Sequence, residues 1–288
     1  RPVSDVAMDI ADLCFNLSGL PSLAQVGLAE RIGTFVRAQA PPDNAIQVRW
    51  RQVAAVPAPT GRLAFDPGQI WRMFGAPDGW EAEIRYSEAE PRALMRIDDD
   101  WTTVEMLEVL DERASSLLGI GAGELLLRGA LTRRGGLVLH SSGLDDHGRG
   151  VVFVGHSGAG KSTQLEIWQG ESGVIAMNDD RVALRRWEAG WRCYGTPWGG
   201  TSDIACNHAA PLSVLVVLEQ APENEIAPLT PAVAAPLLLA RSFVPYWDGT
   251  LVREMTAQLQ RLVYEVPIYR LRCRAERAVI DLVRSVLR

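Results

Sequence analysis

The spacing of apolar residues changes character along the chain. Before about residue 40, apolar residues recur three and four positions apart, which predicts helical structure. Helical spacing returns at 101–110 and 121–133. Between these segments, alternation predicts short strands at 46–54, 83–86 and 93–97. The pattern therefore predicts a smaller N-terminal α+β domain over residues 1–121.

From about residue 122, short helices are mixed with more strongly apolar strands. The predicted strands are 137–140, 150–154, 173–177, 182–185, 191–194, 212–218 and 268–272. The predicted helices are 162–169, 252–264 and 275–287. This order predicts an α/β domain over residues 122–288, and a chain of 288 residues is long enough for two domains.

Composition narrows the classes of function. The chain is 47% hydrophobic and 22% charged, which is typical of a soluble globular protein. Its net charge of −6 gives no electrostatic reason to expect nucleic acid or an anionic membrane as a partner. We see no membrane-spanning apolar run, no signal-peptide pattern and no Cys-x-x-Cys pair. We therefore expect a cytoplasmic protein with thiol cysteines, and a homo-oligomer is compatible with the sequence.

A phosphate-binding motif lies between a predicted strand and a predicted helix. Residues 155–162 read Gly-His-Ser-Gly-Ala-Gly-Lys-Ser, which is the P-loop pattern. Lys161 is the only lysine among 29 Lys and Arg residues, so a compact ammonium is retained where a phosphate would lie. The alternative is an ordinary glycine-rich turn, which the strand–loop–helix setting disfavours. The predicted nucleotide-binding residues are Gly155, Ser157, Gly158, Ala159, Gly160, Lys161, Ser162 and Thr163.

Two further features accompany the motif. Asp179 and Asp180 follow the next predicted strand, which we expect to lie beside the P-loop strand and bring both carboxylates near a γ-phosphate. A solvated turn, or an ion pair with Arg181, is the alternative. His140 is predicted to end the strand before the P-loop strand, where it would stabilise phosphate charge or relay a proton. A purely structural histidine is the other interpretation.

Together these residues resemble HPr kinase/phosphorylase and, more distantly, ATP-dependent phosphoenolpyruvate carboxykinase. The resemblance covers roughly residues 122–288 and is nearest to HPr-kinase-like proteins of bacterial peptide-modification clusters. It rests on His140 and its distance to the P-loop, on the P-loop itself, and on two segments. These are Val-Ile-Ala-Met-Asn-Asp-Asp (174–180) and Tyr-Gly-Thr-Pro-Trp (194–198).

The resemblance implies a P-loop kinase domain of the HPr kinase and phosphoenolpyruvate carboxykinase type, dependent on ATP and Mg²⁺. It implies that Lys161 binds phosphates, that Ser162 and Asp180 hold Mg²⁺, and that His140 assists at the transferred phosphoryl group. It also favours Asp179 as the general base. Residues 195–200 read Gly-Thr-Pro-Trp-Gly-Gly where HPr kinase has an Arg-Gly-x-Gly segment. This departure counts against HPr as the substrate and against the reverse phosphorolysis.

The function predicted from these residues is transfer of the γ-phosphoryl group of ATP to a serine-type hydroxyl of a peptide or protein. Thr196 and Trp198 are the candidate substrate residues, and a tight turn around a buried Trp198 is the alternative. Arg270, Arg272 and Arg274 share one strand face, which is either solvated or attracts an acidic peptide. Two other functions stay open: a small-molecule hydroxyl kinase, and a regulatory ATPase that transfers nothing. The acceptor, and ATP against GTP, are not decided by the sequence.

Overall fold

The computed structural model describes residues 4–20, 30–68, 70–85, 90–109, 119 and 121–287. The chain forms two compact units: Arg1–Arg134 with Pro245–Val252, and Gly135–Val244 with Arg253–Arg288. Together they make a mixed α/β protein with two large sheets. The first unit runs to Arg134, whereas the sequence predicts a domain boundary after residue 121. The helix Ala122–Arg133 lies between these two boundaries and belongs to the first unit.

The first unit is built on an eight-stranded sheet with the order β1-β2-β3-β8-β7-β6-β5-β4. Strands β2, β3 and β8 are parallel neighbours, and the other pairs are antiparallel. Its strands are β1 (Ser4–Ile10), β2 (Leu13–Leu20), β3 (Ile46–Gln52), β4 (Arg62–Phe65), β5 (Trp71–Ala76), β6 (Gly79–Ile84), β7 (Ala93–Asp98) and β8 (Thr103–Glu108). Its helices are α1 (Glu30–Gly33) and α2 (Ala122–Arg133).

Two helical predictions in this unit are wrong. The first residues of the chain form the antiparallel pair β1–β2, with Ala11 and Asp12 in the left-handed conformation at the turn. Val6 and Ile10 are four positions apart, a spacing that fits one face of a helix or of a strand, and buried Met8 between them marks the strand. The 101–110 segment contains β8 rather than a helix. Part of the predicted N-terminal helical region, residues 21–29, lies outside the described residues.

The second unit contains the elements that the sequence predicted for its α/β part. Its strands are β9 (Gly136–Asp146), β10 (Gly150–Val154), β11 (Val174–Asn178), β12 (Arg181–Trp187), β13 (Gly190–Tyr194), β14 (Ala209–Gln220), β15 (Glu225–Pro228) and β16 (Ile268–Cys273). Its helices are α3 (Lys161–Gln169), α4 (Pro231–Leu239), α5 (Gly249–Glu265), of which the first residues belong to the other unit, and α6 (Ala278–Arg284).

Three parallel strands define the edge of the sheet where the motifs meet. Strand β14 pairs in parallel with β10 on one side and with β16 on the other. On its other side, β10 pairs with antiparallel β9, so that Val154 at the end of β10 lies opposite Ser141. The carboxyl ends of β10, β14 and β16 therefore share an edge with the middle of β9. Crevices at such edges are where ligands bind in open α/β sheets.

Two details of the predicted arrangement are wrong. Strand β11 pairs with β9 and not with the P-loop strand β10. Strand β9 runs on to Asp146, so His140 lies within a strand rather than at its end. Both follow from the length of β9, which pairs with β12 over residues 136–140 and with β11 over residues 143–146. The acidic pair therefore lies at the break between β11 and β12.

Helix α3 is fixed by packing beneath the sheet edge. Leu165 and Trp168 are fully buried on one face of α3 and belong to the same core cluster as Phe153 and Val216. This buried face sets the position of the helix start, and therefore of the loop before it. In the part of the chain that the structure describes, no helix is both long and apolar enough to span a membrane.

Gly129 in the interior of α2 supplies a test of the packing in the first unit. A Cβ at Gly129 would lie 2.3 Å from ring atoms of the fully buried Trp101. Gly129→Ala gains helix propensity of about 1 kcal/mol but overpacks this contact. We expect a net loss of about 1–3 kcal/mol in the free energy of unfolding, measured by urea denaturation.

Gly170→Ala is the matched control. Gly170 has a φ of −73° at the end of α3, and its nearest non-neighbouring atom lies 3.6 Å from an added Cβ. This substitution is expected to stay within about 0.5 kcal/mol of the parent protein. A stabilised Gly129→Ala protein would contradict the packing of Trp101.

Candidate active site

The glycine-rich loop (155–162) connects β10 to α3 in a sharply turned conformation. Gly158 and Gly160 have φ values of 79° and 101°, in the left-handed region that favours glycine. No protein atom lies within 4 Å of a Cβ added at either position, so the backbone conformation, and not crowding, requires glycine. Successive N–H groups in such a turn, followed by a helix N-terminus, make a concavity suited to an anion.

Lys161 is the first residue of α3 and is buried, with 7% of its surface exposed. Its Nζ donates to the carbonyl oxygens of Gly155 at 3.2 Å and His156 at 3.3 Å. An ammonium has three N–H donors, so one remains for a ligand. Burial lowers the pKa of Lys161; the nearby charge of Arg241 adds to this effect and that of Asp180 opposes it. The ammonium therefore lies within electrostatic range of both residues.

Asp180 faces His140 across the break between β11 and β12. Its Oδ1 lies 3.0 Å from Nε2 of His140, and its Oδ2 accepts from Arg181. Burial would raise the pKa of Asp180, but the His140 hydrogen bond and the charges of Arg181 and Lys161 outweigh it and lower that pKa. Asp180 is therefore an ionised carboxylate at neutral pH. Its ion pair with Arg181 matches one of the alternatives from the sequence, and this coexists with its proximity to Lys161.

Asp179 points the other way and is almost fully buried, at 3% exposure. Its two carboxylate oxygens accept backbone N–H groups from Gly200 at 2.6 Å, Ser202 at 2.8 Å and Ile204 at 3.3 Å. These bonds attach the loop formed by residues 195–204 to the strand break. The two members of the acidic pair therefore have different surroundings, and the one nearer Lys161 is Asp180. The general-base role predicted for Asp179 has no support in this geometry.

Asn178, which the sequence analysis did not single out, holds this arrangement together. It is fully buried, and its Nδ2 donates to the backbone carbonyls of Thr196 at 2.9 Å and Trp198 at 3.1 Å. Its Oδ1 accepts the N–H groups of Asp180 and Arg181. One side chain thus supports both the turn that carries Asp180 and the start of the 195–204 loop.

The two predicted substrate residues lie inside that loop. Thr196 is fully buried, and its hydroxyl donates to the carbonyl of Arg181 at 2.8 Å. Trp198 is 6% exposed. Their burial favours the alternative interpretation, a tight turn around a buried Trp198. Gly200 in the same loop packs closely against the acidic pair. A Cβ added at Gly200 would lie 2.9 Å from the Cβ of Asp180.

Arg241 is a second residue that the sequence analysis missed. Its carbonyl oxygen accepts the N–H of His140 at 2.7 Å, and its charge acts on Lys161. No motif marks Arg241, because it lies far from the other site residues in sequence and joins them only through the pairing of residues 241–243 with β9. Lys161, His140 and Arg181 therefore act on the carboxylate of Asp180. Arg241 is joined to the backbone of His140 and acts on Lys161.

The remaining predicted residues line the loop or lie away from it. Ser157, Gly158 and Thr163 are exposed, Ser162 and Gly160 are partly exposed, and Gly155 and Ala159 are buried.

The arginine face on β16 lies away from the glycine-rich loop residues in sequence. Arg270 and Arg272 approach Glu219 within 3.7 Å and 3.5 Å, which supports a solvated ion-paired face over an acidic-peptide site. All four cysteines are free thiols.

Mg²⁺ is the metal ion that the resemblance described above implies for this site. Within the described residues, no group of three or more His, Cys, Asp or Glu side chains is arranged to hold a metal ion. Mg²⁺ usually keeps several waters and takes further oxygen ligands from substrate phosphates, so it needs only one or two oxygens from a protein. Ser162 in the first turn of α3 and the carboxylate of Asp180 are the protein groups that suit it.

The fold and this site define a mixed α/β protein with a glycine-rich, anion-suited loop at the carboxyl edge of parallel strands. The family model of the SynChlorMet cassette protein ScmC matches residues 112–288. Because this is more than half of the chain, the protein belongs to the ScmC family. No curated protein matches the chain.

Solved structures that are similar to part of the chain include the Hpr(Ser) kinase/phosphatase from Coxiella burnetii, with 12% sequence identity and a TM-score of 0.32. The match covers 52% of this chain and 87% of that one. A TM-score this low does not establish a common fold.

Asn178→Ala tests whether this side chain supports the site. The substitution leaves two partly buried N–H groups and two buried carbonyls without their partner. An unsatisfied buried group costs roughly 1–3 kcal/mol before relaxation. We expect a loss of about 2–4 kcal/mol in the free energy of unfolding by urea, and faster proteolytic cleavage within the 195–204 loop.

Asn224→Ala is the control, because Asn224 is partly exposed and its two side-chain hydrogen bonds, to Glu276 and to the N–H of Arg274, are both exposed to solvent. Its stability is expected to change by less than about 0.5 kcal/mol. Equal behaviour of the two variants would show that the Asn178 hydrogen bonds do not support the loop.

Proposed function

We propose that this protein is an ATP- and Mg²⁺-dependent kinase that transfers the γ-phosphoryl group to a serine-type hydroxyl. The observation that carries the proposal is the position of Asp180 beside the end of the P-loop strand. Its carbonyl accepts the N–H of Ser141 at 3.0 Å, and Ser141 lies opposite Val154, the last residue of β10. Its charge also acts on Lys161. Phosphoryl transfer needs little covalent chemistry from the protein. It needs a cradle for the phosphates, cations around the moving group and an acceptor for one proton.

The proposed roles follow from the surroundings of each side chain. The backbone of the glycine-rich loop and the ammonium of Lys161 bind the phosphates. Asp180 accepts the proton of the attacking hydroxyl, and its hydrogen bond to His140 fixes the orientation of the carboxylate. Asp180 takes the place that the sequence gave to Asp179, because the charge of Asp180 is the one that acts on Lys161. Asp179 is 3% exposed and is bonded to the 195–204 loop.

In the proposed step, the acceptor oxygen forms a bond to the γ-phosphorus while the bond from that phosphorus to the β,γ-bridging oxygen breaks. ADP leaves with the electron pair, and the acceptor's proton passes to Asp180. Lys161 and Arg241 stabilise negative charge on the transferred group, which is the main protein contribution to such reactions. Mg²⁺, which would be held by the hydroxyl of Ser162 and by phosphate oxygens, would supply further neutralisation of phosphate charge.

The acceptor is proposed to be a peptide or protein. The side chains of His140 and Asp180 are 38% and 21% exposed, so the reacting edge is accessible from solvent before any ligand binds. An open site suits a segment of polypeptide better than a small metabolite, which usually binds in a closed pocket. A small-molecule hydroxyl kinase and a regulatory ATPase remain the alternatives to be tested.

Incubation with γ-labelled ATP, Mg²⁺ and a panel of serine-containing peptides tests the proposal. Label is expected on a seryl hydroxyl. Lys161→Ala and Asp180→Asn are expected to lower kcat by roughly 100-fold or more, and Arg241→Ala by roughly 10- to 1,000-fold, because each removes charge or proton acceptance at the reacting group. Asp179→Asn is expected to raise KM for the peptide more than it lowers kcat, because it loosens the 195–204 loop.

Arg270→Ala is the control, since Arg270 is half-exposed and paired with Glu219 away from the site. Phosphate release to water with no labelled hydroxyl would favour the regulatory ATPase. Label only on small hydroxy compounds would favour the small-molecule kinase. Full activity in Asp180→Asn, with loss in Asp179→Asn alone through kcat, would reverse the roles given to the two carboxylates.

A further inference from the structure

A cavity of about 500 Å³ adjoins the glycine-rich loop. Its walls come from three places in the second unit: the loop and first turns of α3, the residues after β14, and the residues after β16. The residues that matter here are Gly160, Thr163, Gln164, Ala221 and Arg274. None of the proposed reacting groups, His140, Asp180 or Arg241, lines it.

Sheet topology puts this cavity and the reacting groups on different sides of the loop. Strand β10, which leads into the loop, has β9 on one side and β14 on the other. His140 comes from β9, and Asp180 from the break before β12, which also pairs with β9. The cavity lies at the ends of β14 and β16. A ligand whose phosphates occupy the loop has its reacting end toward β9 and can extend its other end toward β14.

The walls of the cavity are tied to one another before any ligand binds. The Nε2 of Gln220 donates to the carbonyl of Gly158 at 2.8 Å, which joins the end of β14 to the glycine-rich loop. The N–H of Ala221 donates to the carbonyl of Cys273 at 3.1 Å, which joins the segments after β14 and β16. A cleft of this size and preorganisation is typical of a small-molecule site.

Two side chains in these walls have unused binding capacity. Arg270, Arg272 and Arg277 all form ion pairs with glutamates, at 3.7, 3.5 and 2.6 Å. Arg274 lies between them in sequence and lines the cavity, yet in the described part of the chain its guanidinium forms no ion pair or hydrogen bond.

Gln164 is the second such side chain. It is 2% exposed, and its Oε1 has no hydrogen-bond partner among the described residues, while its Nε2 contacts the sulfur of Cys273 at 3.7 Å. A buried amide oxygen without a donor is uncommon in native structures and calls for a partner. A cavity that brings together an unpaired guanidinium and an unpaired amide oxygen is suited to a flat, aromatic ligand with N–H groups.

We infer that this cavity binds the base and ribose of the nucleoside triphosphate whose phosphates occupy the glycine-rich loop. The guanidinium of Arg274 lies against the face of the base, and the amide oxygen of Gln164 accepts an N–H from its edge. The inference rests on the proposed function for the phosphate position and adds to it the location and recognition of the nucleoside.

Calorimetric titration with two probes, ATP and inorganic tripolyphosphate, separates the nucleoside from the phosphates. Arg274→Ala is expected to weaken ATP binding by roughly 3- to 30-fold, because a cation over an aromatic face is lost. Binding of tripolyphosphate is expected to change by less than about twofold, since that probe does not reach the cavity. Ala221→Trp, which fills the cavity, is expected to weaken ATP binding further and to leave tripolyphosphate binding intact.

The controls separate failure of this inference from failure of the proposed function. Arg270→Ala, on the neighbouring ion-paired face, is expected to bind both probes like the parent protein. Lys161→Ala is expected to weaken both probes. Arg274→Ala and Ala221→Trp proteins that bind ATP normally, or that lose both probes equally, would overturn the nucleoside site. A parent protein that binds neither probe, or Lys161→Ala with unchanged binding of both, would overturn the phosphate site as well.

Discussion

The hydrogen bonds of the Asn178 side chain set the geometry on which the candidate site depends. Strand β11 ends at Asn178, and β12 begins three residues later, with both strands paired to the same neighbour β9. At this break, the amide oxygen of Asn178 holds the turn, and its amide nitrogen holds the 195–204 loop. Two adjacent aspartates therefore emerge in different directions, one into the loop and one toward the glycine-rich loop.

Because Asp180 is directed toward the glycine-rich loop, its carboxylate is surrounded by cationic groups that balance its charge. A carboxylate turned into a partly buried site would be costly without compensation. Here His140, Arg181 and Lys161 favour its ionised form and lower its pKa. The charge of Asp180 in turn raises the pKa of Lys161 and so offsets part of the lowering caused by burial. Asp180 and the cations around it therefore stabilise one another in their charged forms. A phosphate entering the loop would meet the ammonium of Lys161, with one free N–H donor, beside the ionised carboxylate of Asp180.

Much of the second unit could be predicted from sequence, because its signals are local. Strand, glycine-rich loop and helix follow one another within residues 150–169, and the structure has them in that order. The first unit was harder, since Val6 and Ile10 have a spacing shared by helices and strands. The separate surroundings of Asp179 and Asp180 could not be predicted, because they depend on the register of β9 with two strands. Arg241 was missed for the same reason: only tertiary pairing with β9 brings it to the site.

The most direct test of the account is a crystal structure of the protein with Mg²⁺ and a non-hydrolysable ATP analogue. We expect the γ-phosphate within hydrogen-bonding reach of Lys161, at about 3 Å from its Nζ, with Asp180 as the nearest carboxylate. We also expect Asp179 to keep its bonds to the 195–204 loop. A nucleotide bound away from residues 155–162, or phosphates nearer to Asp179 than to Asp180, would contradict it.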